Sequence, residues 1–149
     1  MKLNPYLNFE GNCEEAFNFY KKVFRAEFSQ HGIMRFGDIP PQEGMPPFSD
    51  DVKHRVMHVS INIGNDILMG SDTMPGFGSG PFKVGDNSYI SIHTDSREEA
   101  DRIFSELAEG GEVEMPMADQ FWGDYYGSLR DRFGNLWMIN YNAQFAEVQ

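Results

Sequence analysis

The chain has 149 residues, 40% hydrophobic and 14% aromatic, enough for one packed domain or for two small halves sharing a core. A formal net charge of −11 and a sequence pI of about 4.6 repel phosphate backbones and make nucleic acid and anionic membrane poor partners. No stretch approaches the roughly 20 apolar residues that span a bilayer, the first residues hold no signal-peptide core, and a single cysteine, Cys13, excludes an internal disulfide, so a cytoplasmic protein is expected.

In chain order, "PYLNF" (Pro5–Phe9) reads as a short strand. "NCEEAFNFYKKVF" follows as a helix, with Asn12 and Glu15 spaced as a capping box and Ala16, Phe19, Tyr20, Val23 and Phe24 on one apolar face. Cys13 falls in its first turn, where a helix dipole favours a thiolate and a core favours an inert thiol. "AEFSQHGIMRF" reads as a strand, and Phe36–Asp51, with four prolines, as a long loop. "VMHVSINIG" and "DILMGSD" form a hairpin about Gly64-Asn65.

A Gly-rich connector, Thr73–Asp86, then joins two halves; it lacks the Gly-Lys-Ser/Thr and the following helix of a phosphate cradle, and reads as a linker. Beyond it come the strand "SYISIHT" (Ser88–Thr94) and the helix "SREEADRIFSELAEGG". That helix repeats the pattern, with Ser96 and Glu99 as capping box, an apolar face of Ala100, Ile103, Phe104, Leu107 and Ala108, and Gly110-Gly111 as stop. Ala16 and Ala100, like Phe24 and Ala108, stand 84 residues apart, which argues for duplication. "GEVEMPM", "YYGSLRD" and "NLWMINY" complete the second half, with a turn at Phe133-Gly134. The expected fold is α+β: two β-α-β-β-β modules, about residues 1–72 and 87–142 with 73–86 between them, forming a cupped mixed sheet with helices outside.

"LNPYLNFEGNCEEAFNFY", "FGDIP", "DILMGSD", "MP" and "FWGDYYGSLRDRFGNLWMINY", in that order over nearly the whole chain, resemble the PhnB-like branch of the glyoxalase/bleomycin-resistance/dioxygenase (vicinal oxygen chelate) superfamily. The resemblance implies a homodimer and a cavity lined by both halves. It also implies four strand positions that in the superfamily's metalloenzymes supply His, Glu or Gln to a divalent ion. Carried over, they fall on Pro5, Leu68, Tyr89 and Met138, none of them a customary ligand for such an ion, so no metal cofactor is expected. The branch is also described as a ubiquinone-pathway methyltransferase, but the sequence shows no glycine-rich strand-turn-helix for a methyl-donor nucleotide.

Strand alternation supplies candidates for a cavity lining. Val59, Ile61 and Ile63 suit the helix side, leaving His58, Ser60 and Asn62 opposite; Ile90 and Ile92 likewise leave Tyr89, Ser91 and His93; Trp137, Ile139 and Tyr141 leave Leu136, Met138 and Asn140. Asp66, Leu68, Gly70 and Asp72 are placed on the cavity side as well. His58 is the candidate general base or a half-buried strand histidine bonded to a neighbour. His54 lies on the same expected strand, about 13 Å away, too far for a shared metal, while His93 reads as a solvent-side residue. Asp72 is a ligand contact or a turn cap, and Phe121 and Trp122 are a cavity wall or dimer contacts.

Ser60, Asp72, Tyr89, Ser91, Phe121, Trp122, Met138 and Asn140 are the expected ligand-binding set. The functional expectation is a metal-free protein that binds a small organic molecule. The alternatives are an enzyme, with His58 as base or a metal at another place, and a scaffold whose dimer surface is its function.

Overall fold

The computed structural model describes residues 1–76 and 80–146; residues 77–79 of the expected linker lie outside this range. Its contacts divide the chain into two compact units, Met1–Phe82 and Lys83–Gln149. Among the described residues, no helix is long and apolar enough to cross a membrane.

The first unit contains β1 (Tyr6–Phe9), α1 (Cys13–Val23), β2 (Met34–Arg35), a 3-10 turn (Phe36–Asp38), α2 (Asp50–His54), β3 (Val56–Ile63) and β4 (Asp66–Asp72). Its sheet runs β1-β4-β3-β2, with β1 parallel to β4 and the other pairs antiparallel. The second strand is far shorter than "AEFSQHGIMRF" suggests. A turn closed by Gly32 N to Ser29 O, with Gly32 at φ 58, interrupts it, and Phe28 meets Ile61 through an isolated bridge. His54 ends α2 and is not on β3, because Ser49 accepts from Val52 N and starts a helical turn inside the expected loop.

α1 packs on β3 and β4 through Cys13, Ala16, Phe17, Tyr20 and Val23. Phe17 takes the core place expected of Phe19, because β4 presents Gly70 to it: a Cβ there would stand 2.5 Å from Phe17 Cε2 and 2.9 Å from Leu7 O. Gly70→Ala is therefore expected to cost about 1–3 kcal/mol through overpacking against a ring and a backbone carbonyl. An unchanged midpoint in a urea melt would show that Phe17 gives way freely.

The expected Asn12 cap is absent; Asn12 makes no side-chain capping bond. Asp72 does that work from 60 residues away, accepting from Gly11 N (2.8 Å) and Cys13 N (3.0 Å) on Oδ1 and from Val56 N (2.8 Å) on Oδ2. A carboxylate at the positive end of α1 is favourable, and one side chain thereby ties β4, α1 and β3 together. Cys13 is fully buried, and burial, reinforced by Asp72 and Glu14, pushes its thiol well above the ordinary range. The thiolate reading gives way to a structural cysteine.

The second unit contains β5 (Ile90–His93), α3 (Arg97–Ala108), β6 (Glu112–Asp119), β7 (Tyr125–Arg130), β8 (Leu136–Tyr141) and α4 (Ala143–Ala146). Its sheet, β5-β8-β7-β6, repeats the first topology. Ala100, Ile103 and Leu107 of α3 share the buried core with Leu129, Trp137 and Ile139. Here the local cap forms: Ser96 Oγ accepts from Glu99 N, and Glu99 reaches back to Asp95 N.

Candidate functional site

In the first unit, pairing fixes which residues face away from α1. Tyr6 stands beside Met69, Asn8 beside Ser71, Ser60 beside Met69 and Met34 beside His58. That face therefore carries Tyr6, Asn8, Met34, His58, Ser60, Asn62, Ile67, Met69 and Ser71. His58 and Ser60 lie where strand alternation places them. Tyr6 Oη is 3.3 Å from His58 Nδ1, and Ser60 Oγ donates to Ser29 Oγ at 2.8 Å. His58 thus has a phenol as its hydrogen-bond neighbour.

Leu68, Gly70 and Asp72 contradict the sequence reading, since all three point to the helix side. Leu68 is 3% and Asp72 4% exposed, and both oxygens of Asp72 are committed to backbone donors. The three apolar residues Ile67, Leu68 and Met69 stand in a row and give no alternation to read. Register is fixed instead by the Gly70–Phe17 approach. Asp72 is a structural residue, and Leu68 is not at a cavity position.

In the second unit the expected alternation of β5 and β8 is observed. Ser91 pairs with Met138 and His93 with Asn140, while Ile90 and Ile92 lie beside Trp137 and Ile139. β7 adds Tyr126 beside Asn140, Ser128 beside Met138 and Arg130 beside Leu136. Ser128 and Asn140 are buried polar residues on this face, at 4% and 6% exposure.

Side-chain bonds link three elements here. Asn140 Nδ2 is 3.5 Å from His93 Nδ1, and Ser91 Oγ is 3.5 Å from His93 Nε2. Asp124, just before β7, accepts from Trp122 Nε1 at 2.9 Å and from Asn142 Nδ2. Hydrogen bonds from Asn142, then from Trp122 and Asn140, hold the Asp124 carboxyl below its usual range. Asn140 Oδ1 is buried with no hydrogen-bond partner among the described residues. Tyr89 donates to Glu114 Oε1 at 3.0 Å, and that bond raises its phenol pKa.

Sequence reasoning singled out neither Asp124 nor Tyr126, and His93, read as a solvent-side residue, is exposed. Only the pairing of β7 with β8 reveals that the hairpin base meets the end of β8. That base is pinned to α3: Tyr125 Oη donates to Asp101, Arg97 pairs with Asp119, and the Arg97 guanidinium lies 3.9 Å over the Tyr125 ring. At the hairpin tip Phe121 is 98% exposed and packs edge-on against Trp122 at 5.0 Å between centroids.

The positions carried over for a divalent ion do not present a ligand set. Pro5 precedes β1 and gives its carbonyl to Met69 N, Leu68 is in the core, and Tyr89 is bonded to Glu114. The facing pairs are Tyr6/Met69 in the first unit and Ser91/Met138 in the second; Tyr6 and Ser91 are 85 residues apart and Met69 and Met138 are 69, rather than 84 and 70. The two halves differ by one residue between strand and helix, so the helix spacing does not transfer to the strands. Among the described residues no three His, Cys, Asp or Glu side chains converge as a metal site.

The family described as 3-demethylubiquinone-9 3-methyltransferase matches residues 1–140. Protein YjdN of Escherichia coli is 35% identical over 94% of this chain and 95% of its own length. The crystal structure of PA1353 from Pseudomonas aeruginosa superposes with a TM-score of 0.81 at 37% identity, covering 95% of this chain and 98% of that one. A Bacillus cereus structure described as a PhnB protein gives a TM-score of 0.66 at 26% identity, over 95% of this chain and 99% of that one. The fold is shared with structures of far lower identity, among them a glyoxalase/bleomycin resistance protein/dioxygenase family enzyme from Burkholderia phytofirmans, at a TM-score of 0.59 and 14% identity over 91% of this chain and 95% of that one.

Proposed function

The chain belongs to the 3-demethylubiquinone-9 3-methyltransferase family, in its PhnB-like branch within the glyoxalase/bleomycin-resistance superfamily, and from that premise we propose that it is a cytoplasmic homodimer that binds a small organic molecule without a metal ion. The carrying observation is the face of the second sheet, where Asn140 is buried with an acceptor oxygen that no described residue satisfies, beside Asp124, His93 and the apolar Met138. A buried unpaired carbonyl costs about 1–3 kcal/mol, and a bound molecule or ordered water recovers it. The surrounding mix of aromatic, apolar and convergent polar side chains suits an organic ligand.

Native mass spectrometry of the protein as isolated tests the reading. The expected result is a dimer carrying a small organic mass and no divalent ion. Asn140→Leu, which removes the unsatisfied acceptor, is expected to lower ligand retention about tenfold, the equivalent of one lost hydrogen bond. A stoichiometric Zn, Mn, Fe or Ni ion, or an Asn140→Leu variant that keeps its ligand undiminished, would sink the proposal.

A further inference from the structure

Asp124 carries a negative charge with no salt bridge among the described residues. Its partners are neutral donors: Asn142 Nδ2, Trp122 Nε1 and the Asn140 carboxamide. His93 stands nearby, its Nδ1 3.5 Å from the Asn140 amide nitrogen, and acts on the Asp124 carboxyl through charge alone, as the smallest of the influences that lower it. The ion pairs of the described residues engage Glu14, Glu27, Asp51, Glu106 and Asp119 instead. Those neutral bonds keep the Asp124 carboxyl ionised at neutral pH, Asn142 contributing most.

Aromatic residues stand two positions to either side of this carboxylate along the chain. Trp122, bonded to it through Nε1, is 53% exposed, and Tyr126 lies beside Asn140 in the ladder. A fixed anion beside aromatic rings attracts an organic cation, through charge on one side and the ring quadrupole on the other. The unsatisfied Asn140 Oδ1 adds an acceptor for an N–H. Arg130, at the far end of the face, donates to the carbonyl of Gly134, and Glu114 stands on the neighbouring edge strand with Tyr89. A carboxylate ligand would meet repulsion from Asp124, and a neutral one would gain nothing from its charge.

We propose that the ligand of this face carries an organic ammonium group, seated at Asp124 between Trp122, Tyr126 and Asn140. The assignment rests on the reading of this face as the binding site and names the chemical class it selects.

The test uses the full chain, labelled with nitrogen-15, at neutral pH and constant ionic strength. Its probes are benzylamine, benzyl alcohol and benzoate, which differ in charge at similar size. The indole N–H of Trp122 reports the site; the indole of Trp137, bonded to buried Asp131, is the internal control. Benzylamine is expected to move the Trp122 signal saturably, at least tenfold more tightly than benzyl alcohol, and benzoate not at all. Asp124→Asn, which keeps the shape and removes the charge, is expected to erase that tenfold gap with the Trp137 signal in place. Equal or tighter binding of benzyl alcohol or benzoate overturns the ammonium assignment and leaves the binding face standing, as does a gap that survives in Asp124→Asn. Silence of Trp122 towards all three also overturns the assignment, and the mass measurement above then decides the face.

Discussion

Asp72→Ala is expected to destabilise the protein by about 3–5 kcal/mol, since each buried donor left without an acceptor costs roughly 1–2 kcal/mol. Three such donors depend on this side chain: Gly11 N, Cys13 N and Val56 N. The loss would be a large share of the roughly 5–15 kcal/mol that holds a domain folded. A denaturant melt followed by circular dichroism measures it, and two controls sharpen the result. Asn12→Ala is expected to change little, because Asn12 makes no capping bond, whereas Ser96→Ala, which removes a local cap, should cost about 1 kcal/mol. If Asn12→Ala proves as costly as Asp72→Ala, the long-range cap is not what starts α1.

That contrast shows where the sequence was legible. Both helices were readable from their apolar period, and the cap of α3 from Ser96 and Glu99, because these signals are local. The cap of α1 was not, since the spacing of Asn12 and Glu15 is identical in kind while the true cap lies at the far end of the unit. The face of β3 was readable because Val59 and Ile61 alternate with His58, Ser60 and Asn62. The face of β4 was not, because a run of apolar residues suits either face and only its pairing partners choose. The core place of Phe17 is a further case: nothing local prefers it to Phe19, and the choice rests on a glycine some fifty positions later.

The candidate site divides in the same way. Strand parity put Ser91, Met138 and Asn140 on one face of the second sheet, since β5 and β8 alternate cleanly. Asp124 was missed because acidic residues near hairpin turns are common and carry no periodic signal. Its importance comes from converging with Asn142, Asn140 and Trp122, which are contacts across elements. Phe121 and Trp122 stood out as aromatics in the sequence, but only Trp122 is tied to that cluster, and Phe121 points into solvent.

Asp131→Ala should be as damaging in the second unit, at about 3–5 kcal/mol, and should also cost ligand binding. Asp131 is 3% exposed; its Oδ1 accepts from Phe133 N (2.9 Å) and Asn135 N (3.0 Å), and its Oδ2 from Trp137 Nε1 (2.8 Å). The carboxylate therefore shapes the turn before β8 and fixes the largest core side chain on β8 at the same time. Both constraints set the register of the strand, and a slip of one residue would exchange Trp137 and Ile139 for Met138 and Asn140 between the core and the opposite face. Trp137→Phe keeps most of the ring and removes the indole donor. In that background the cost of Asp131→Ala is expected to shrink by about 1–2 kcal/mol, the coupling typical of directly bonded partners. Ligand retention should fall in Asp131→Ala even at temperatures where circular dichroism still reports a folded chain, because Asn140 no longer holds its place beside His93. If Asp131→Ala loses less than about 1 kcal/mol and shows no coupling to Trp137, the ladder between β7 and β8 alone sets the register.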